Sequence, residues 1–433
     1  FDNNSIFPDV GINAKRFNIL KAEDINYYHV PTPLTELFFK TTFEQGQNAD
    51  SFFTTNLSKQ LNLSIGYKGL RSLGYYQNAL ASTGNVRITA SYQSKDKRYL
   101  LRSHFVSQDV SNQENGGLTP EAVQQYKDQI PEFDNRASLP VQFQNAESLY
   151  LNRRLFIDQS YAIKKSVDSL KTSSIKVKHR FDFSDHEYTF EQDQAADILG
   201  ETFENQSINN NLEHQIIQNR LGLEYDNKLL GNIALEASHR YFTYGYDRTI
   251  LFEDRQVSNI LKGDLVTLGG KFRKKIGGFQ VKASTKTTII SDYDGYQFQG
   301  EAQYQLKDSI KAIAGIGVVD RAPDMNFQLY QSDYINYNWQ TSFSNQKRQK
   351  LFADIDTEQY GNYSASITQI QDYTYFAFQD VADTGLEAVD SLPQPVQANG
   401  TLRTLKLKAR KDFSLGKFSL ANTIMYQNVT DGQ

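Results

Sequence analysis

The sequence predicts an all-β protein, a large antiparallel transmembrane β-barrel of roughly 16 or more strands with one short helix in a long loop. Three observations carry that prediction. Apolar and polar side chains alternate with period two along many segments, several running well beyond the roughly 5–6 residues of an average soluble strand. The connections between segments alternate between short and long, as the two rims of an outer-membrane barrel require. Finally, 26 Tyr and 28 Phe give an aromatic share of 13% in a chain whose hydrophobic residues reach only 39%.

Taken in chain order, the first clear strand opposes Leu61, Leu63, Ile65 and Tyr67 to Asn62, Ser64, Gly66 and Lys68. Next, Val86, Ile88, Ala90 and Tyr92 oppose Arg87, Thr89, Ser91 and Gln93. Ile175, Val177, Phe181 and Phe183 then oppose Lys176, Lys178, Arg180 and Asp182, with His179 as a polar interruption on the apolar face. Phe279, Val281 and Ala283 alternate with Gln280, Lys282 and Ser284. In the clearest stretch Phe298, Gly300, Ala302, Tyr304 and Leu306 share one face, and Gln297, Gln299, Glu301, Gln303 and Gln305 the other. Near the end, Phe418, Leu420, Ile424 and Tyr426 oppose Lys417, Ser419 and Thr423. Short turns are expected near Lys95-Asp96-Lys97, Asp226–Gly231, Ile276-Gly277-Gly278, Lys307-Asp308-Ser309 and Leu415-Gly416. Long loops are expected over Leu70–Thr83, Gln108–Ser148, Asp193–Asn211, Tyr244–Gly263 and Asp380–Asn399.

The loop over residues 109–148 carries its own element. Thr119-Pro120-Glu121 reads as a helix N-cap, a first-turn proline and a first-turn acid. Val123, Tyr126 and Ile130 would form one apolar stripe before Pro131 stops the helix. A helix of about three turns is marginal alone, so the stripe is expected to pack on the barrel mouth or fold into it.

Composition removes several function classes. With no Cys there is no disulfide scaffold, Cys-ligated zinc or iron–sulfur cluster. Lys and Arg total 46 against 50 Asp and Glu, a net charge of −4, so no bias toward nucleic acid is visible. The opening Phe1-Asp2-Asn3-Asn4 shows no basic stretch followed by an apolar one. No window approaches about 18 consecutive apolar residues, which excludes a transmembrane helix but not a barrel strand.

A soluble β-sandwich alternates as well. The barrel is favoured because the polar faces are rich in Gln, Asn, Ser, Thr and Gly, because Tyr67, Tyr92, Tyr225, Tyr241 and Tyr426 recur near strand ends, and because the strands are long. A family resemblance adds to this. Tyr67-Lys68-Gly69-Leu70-Arg71-Ser72-Leu73-Gly74-Tyr75-Tyr76-Gln77 leads to Tyr92-Gln93-Ser94-Lys95-Asp96-Lys97-Arg98-Tyr99 and then Gln113-Glu114-Asn115-Gly116-Gly117. With Pro31-Thr32-Pro33-Leu34-Thr35-Glu36-Leu37 and Phe43-Glu44-Gln45-Gly46-Gln47, this resembles the putative-porin family of Bacteroidota outer-membrane β-barrels. The likeness is dense over residues 8–165 and is only a strand pattern afterwards. It implies one outer-membrane barrel domain over residues 1–433 and carries no catalytic residues. Family chains are usually longer, and the missing terminal aromatic after Asp431-Gly432-Gln433 leaves room for strands absent at both ends.

No Gly-x-Ser-x-Gly elbow, Walker loop or His-Glu-x-x-His occurs, so no enzyme, cofactor or metal is expected. The six histidines (29, 104, 179, 186, 214 and 239) read as isolated strand or loop residues rather than ligands. Gly315-Ile316-Gly317 reads as a small-residue strand position, and Asp292-Tyr293-Asp294-Gly295 as a turn rather than a calcium loop. Charges on inward phases are more informative. Arg87, Arg102, Arg153 or Arg154, Lys176, Lys178, Arg180, Arg220 and Arg240, with Arg98 nearby, are expected to line a lumen, because a charge at the lipid midplane costs roughly 2–4 kcal/mol. Lys406, Lys408 and Arg410 form a second run. Two arrangements are open: a solvated wall whose cations pair with Glu224, Glu236, Asp182 and Glu301, or a basic strip facing loop acids Glu114, Glu121, Asp128, Glu132 and Asp134 across a constriction. The expected function is a porin-like barrel for passive diffusion of small polar solutes. The alternative is a non-conducting structural or interaction barrel in an outer-membrane assembly. Expected partners are outer-membrane lipid and other outer-membrane or periplasmic proteins, not nucleic acid.

Overall fold

The computed structural model describes residues 5–11, 18–42, 45–164, 173–203, 207–253, 255–306, 310–357, 359–380 and 391–432. Alternation extends into one continuous wall of 17 antiparallel strands. Its first nine are β1 (Leu34–Thr42), β2 (Gly46–Asn56), β3 (Leu61–Ser72), β4 (Ala81–Gln93), β5 (Tyr99–Glu114), β6 (Ala146–Lys164), β7 (Ser173–Gln192), β8 (Ile208–Asn227) and β9 (Gly231–Tyr246). A small hairpin, β10 (Ile250–Leu251) with β11 (Gln256–Val257), stands in the next connection. The wall resumes with β12 (Ile260–Ile276), β13 (Phe279–Ile290), β14 (Tyr296–Leu306) and β15 (Ile310–Arg321). Helix α2 (Met325–Gln328) and the hairpin β16 (Leu329–Tyr330) with β17 (Trp339–Gln340) precede β18 (Gln346–Thr357) and β19 (Gly361–Gln371). The hairpin β20 (Thr374–Asp380) with β21 (Ser391–Gln397) precedes the last wall strands, β22 (Thr401–Leu415) and β23 (Phe418–Gly432).

Every wall strand pairs with the next wall strand in sequence, so the topology is a pure meander. The strands β7 and β8 are 20 residues long, about 66 Å at strand rise, and so project far past a hydrocarbon core of roughly 30 Å. Among the described residues no ladder joins β1 to β23.

The connections sort by rim as expected. One rim carries the short turns, including the two-residue turns at Gly277-Gly278 and Gly416-Lys417, where Gly277 (φ 57°) and Gly416 (φ 62°) take the left-handed conformation the tight reversal needs. The other rim carries the long loops, among them residues 322–345, which alternation alone had not marked as a long connection. The segment Asp292–Gly295 is the turn between β13 and β14. The turn at Lys307-Asp308-Ser309, Phe43-Glu44 and residues 381–390 of the 380–399 loop lie outside the described residues.

Curvature shows in contacts across the sheet. Residues 322–345 connect β15 to β18, yet Tyr334 donates to Gln192 Oε1 of β7 at 2.8 Å and Asp333 accepts from the Asn209 backbone of β8 at 2.8 Å. The wall therefore curls round a lumen. Its hydrophobic core lies inside that lumen: Ile6, Phe7 and Val10 pack with Phe242, Tyr244 and Leu265 of the wall, Ile250 and Val257 of the β10–β11 hairpin, and Met325 and Leu329. Outward residues remain exposed, among them Tyr67, Phe298, Tyr304 and Tyr426.

The helix of the long loop forms, but it does not pack as expected. It is α1 (Pro120–Lys127), with Thr119 Oγ1 accepting from Ala122 N–H at 3.2 Å. Its buried residue is Ala122, whereas Val123, Tyr126 and Ile130 are 37%, 52% and 36% exposed. The loop closes on itself instead. Gly116 (φ 66°) and Gly117 (φ 89°) reverse the chain, Leu118 bridges Val141, and Leu139 and Val141 are buried. From there it leans on the neighbouring loop: Asn115 donates to Gln77 O at 3.2 Å, and Arg136 lies over the rings of Tyr75 and Tyr76.

Candidate functional site

Strand register assigns each candidate residue to a face. Val106, Gln108, Asn152 and Arg154 are buried and define the inward face of β5 and β6. On the same phase by pairing lie Arg87, Arg102, Lys176, Lys178, Arg180, Arg220 and Arg240. Arg153 is on the opposite phase. It faces outward toward the long-loop end of the wall and pairs with Asp185 at 3.5 Å, so of the two adjacent arginines only Arg154 enters the lumen. Arg98 sits in a turn beside Asp96, 3.9 Å away.

What the inward arginines meet is the amino-terminal segment. Leu20 donates its backbone N–H to Gln108 Oε1 at 2.8 Å, and its carbonyl accepts from Gln108 Nε2 at 3.1 Å and from Arg154 Nη2 at 3.0 Å. Arg154 Nε donates to His104 Nε2 at 3.1 Å, which leaves Nδ1 as the protonated nitrogen facing the Tyr27 hydroxyl at 2.8 Å. Burial pushes the Tyr27 phenol up to about 12, so it stays neutral. Arg102 lies over the same Tyr27 ring at 5.5 Å. Further along, Asn56 Nδ2 donates to Val30 O at 2.6 Å.

At the other end of the segment, Arg240 stands 3.9 Å from the centre of the Phe7 ring, and Arg321 donates to the Phe7 carbonyl at 3.0 Å. Met325 N–H donates to Asp9 O at 2.7 Å, tying the segment to α2. Residues 5–11 and 18–30 thus occupy the lumen as a plug, held by hydrogen bonds, ring contacts and the core around Phe7.

The loop acids do not take that place. Glu114 ends β5 and accepts from Ser148 Oγ; Asp128 accepts from Gln124 within its own helix; Glu121, Glu132 and Asp134 are exposed on the loop. The expected histidine scatter also needs correction. His186 and His214 are directly paired across β7 and β8 with rings stacked at 5.7 Å, and Tyr150 and Asn152 both lie 2.7 Å from His186 Nδ1. Only strand register brings them together, so their spacing in sequence carried no sign of it.

Below the plug, toward the short-turn rim, a cavity of about 770 Å³ opens between β7 and β14. Four cations of its wall are paired with carboxylates: Lys178 with Glu224, Arg180 with Asp158 at 3.1 Å, Lys282 with Glu301 at 2.9 Å, and Lys286 with Glu236 at 3.9 Å. Arg220, Lys271 and Arg273 line the same cavity without such a pairing among the described residues. A second cavity of about 410 Å³ shares Gln297 and Gln299 with the first and is lined by Arg348, Lys350, Lys406 and Lys408 against Asp354. Both carry more positive than negative charge. The Phe7 plug was the element sequence reasoning missed, because residues 5–30 show no alternation, and nothing in that stretch marks it as lying inside the lumen.

The chain is similar in fold to solved transport proteins. The copper transporter OprC superposes with a TM-score of 0.61 at 10% identity, covering 92% of this chain and 61% of that one. The ferric enterobactin receptor mutant of Pseudomonas aeruginosa gives 0.59 at 8% identity, covering 92% and 62%. The ferric-catecholate import receptor Fiu of K12 E. coli gives 0.59 at 9%, covering 92% and 65%. The chain thus spans less than two thirds of the length of each. No curated protein matches it. A family model described as "Putative porin" matches residues 1–433. An antiparallel wall of long strands round a polar lumen agrees with that match, and the chain belongs to this family of outer-membrane β-barrel proteins of Gram-negative bacteria.

Proposed function

We propose that the protein is an outer-membrane channel for small polar solutes, preferring anions, whose lumen is closed by its own amino-terminal segment and conducts by passive diffusion once that segment withdraws. The observation that carries this reading is the kind of attachment the plug has. Its described residues are held by non-covalent contacts to inward side chains and not by strand pairing with the wall, so it can leave without breaking the barrel's ladders. Beneath it lies a polar cavity whose charges left unpaired among the described residues are cationic, and a wall of fixed positive charge favours anions at close quarters. The likeness to a copper transporter and to import receptors supports a transport role. The blocked lumen equally suits the second reading, a non-conducting barrel within an assembly.

Liposome swelling separates the two. Vesicles carrying a variant that lacks residues 5–33 are expected to swell in small neutral sugars and faster in small organic anions, while the intact chain stays near the background rate. Absence of swelling by the variant, with the barrel assembled, contradicts the channel.

A further inference from the structure

The wall beside Phe7 gathers three cations and two unsatisfied donors at one place. Gln218 Oε1 accepts from both Arg220 Nη2 at 2.8 Å and Arg240 Nη2 at 3.2 Å, so one neutral oxygen holds two guanidinium groups together. Lys286 Nζ lies 4.8 Å from the centre of the Phe7 ring that Arg240 also faces. Three cations therefore surround this point; Glu236 stands 3.9 Å from Lys286, and Asp182, directly across from Gln218 on β7, and Asp9 of the plug add negative charge near the arginines. Two donors here, Arg240 Nε and Gln218 Nε2, are buried with no hydrogen-bond partner. Buried donors are ordinarily satisfied, and like charges at such range repel strongly where water is scarce. Arg220 and Lys286 line the cavity, and the two unsatisfied donors of Gln218 and Arg240 lie buried behind them, on the side of Phe7.

We infer that Arg220, Arg240 and Lys286 form a binding site for a multiply charged oxyanion, a phosphate or a polycarboxylate, reached from the cavity beneath the plug. The site deepens the channel reading and rests on it for its purpose. Its chemistry follows from the donors: guanidinium groups present paired N–H bonds that fit phosphate and carboxylate oxygens, and Lys271 and Arg273 on the cavity wall would gather anions toward it. Binding also bears on the plug. The Phe7 ring is held by attraction to Arg240 and Lys286, and an oxyanion that takes over those cations weakens the hold.

Isothermal titration of the intact chain in detergent, with inorganic phosphate, pyrophosphate, citrate and the neutral trisaccharide raffinose, tests the site. At low salt, pyrophosphate or citrate is expected to bind, with affinity falling at least tenfold in Arg220→Gln and in Lys286→Gln, and raffinose is expected to give no heat. Which of the two anions binds tighter assigns the class. Lys271→Gln, at an exposed wall position, is the second variant should either half-buried change prevent assembly, and a fall of about threefold is expected there. No anion binding to the intact chain, equal binding of raffinose, or unchanged affinity in every assembled variant overturns the site. Failure of the channel reading would look different: anion heats would persist while the variant lacking residues 5–33 remained impermeable.

Discussion

Gly11 is the residue on which the plug's seating depends most locally. Its φ is +90°, and a Cβ added there would stand 2.1 Å from the Asn326 Oδ1 of α2, so that side-chain amide would have to turn aside. A β-branched residue at this position meets both the left-handed strain, about 1–2 kcal/mol, and that overlap. Gly11→Val is therefore expected to unseat the segment while leaving the wall's ladders intact. The chain's single Trp reports it: Trp339 stacks on Tyr330 at 4.7 Å, and its Nε1 donates to Asn326 O at 3.0 Å. A red-shifted Trp emission with unchanged β-sheet circular dichroism is the expected outcome; an unshifted spectrum contradicts it. At the same scale, Arg154 is only 6% exposed and satisfies both His104 and Leu20 O. Arg154→Ala is expected to cost about 1–3 kcal/mol through the acceptors it strands, read as a lower midpoint in denaturant. Sequence alone left Arg153 and Arg154 interchangeable, since two adjacent residues in a strand must face opposite ways and only the register against Val106 decides which one is inside. Phe7 was less legible still: one aromatic in a segment without period carries no local sign of the cations it will meet 233 and 279 residues later, at Arg240 and Lys286.

Elements were read more securely than their packing. Period two located the strands because each buries or wets alternate side chains, and Thr119-Pro120 marked the start of α1 because capping is local chemistry. The burial of its stripe is not local, and the loop's own closure decided it. Replacing Val123 and Tyr126 together by Ser is accordingly expected to change stability by less than about 0.5 kcal/mol, whereas Leu139→Ala, at a buried position of the same loop, should cost about 2–5 kcal/mol. Thermal melting of the two variants checks the contrast, and equal losses would return the stripe to the barrel mouth. On β14, Ala302 faces outward and Gln303 inward. Arg at 302 is expected to destabilise the assembled barrel by roughly 2–4 kcal/mol and Arg at 303 by far less. Equal tolerance at both sites would place the apolar face away from lipid. That face is not uniformly apolar: Tyr99 donates to Gln159 at 2.6 Å, Gln159 lies 2.9 Å from His179, and His179 lies 3.3 Å from Asn219. These outward groups satisfy one another, which is how a polar interruption such as His179 is tolerated beside Phe181 and Leu221.

At the scale of the molecule, a net charge of −4 hides an asymmetric distribution. Cations gather on the inward face below the plug, and a whole-chain sum cannot show which face a charge occupies. Plug, cavity and basic wall together make one claim: the lumen is shut by the amino-terminal segment, seen at residues 5–11 and 18–30, and is anion-selective without it. Single-channel recording in planar bilayers tests it most directly, comparing the intact chain with the variant lacking residues 5–33 under a salt gradient. The account predicts silence or rare brief openings from the intact chain, and sustained conductance from the variant with a reversal potential on the anion-selective side. Equal conductance from both proteins, or silence from both with the barrels assembled, would contradict it.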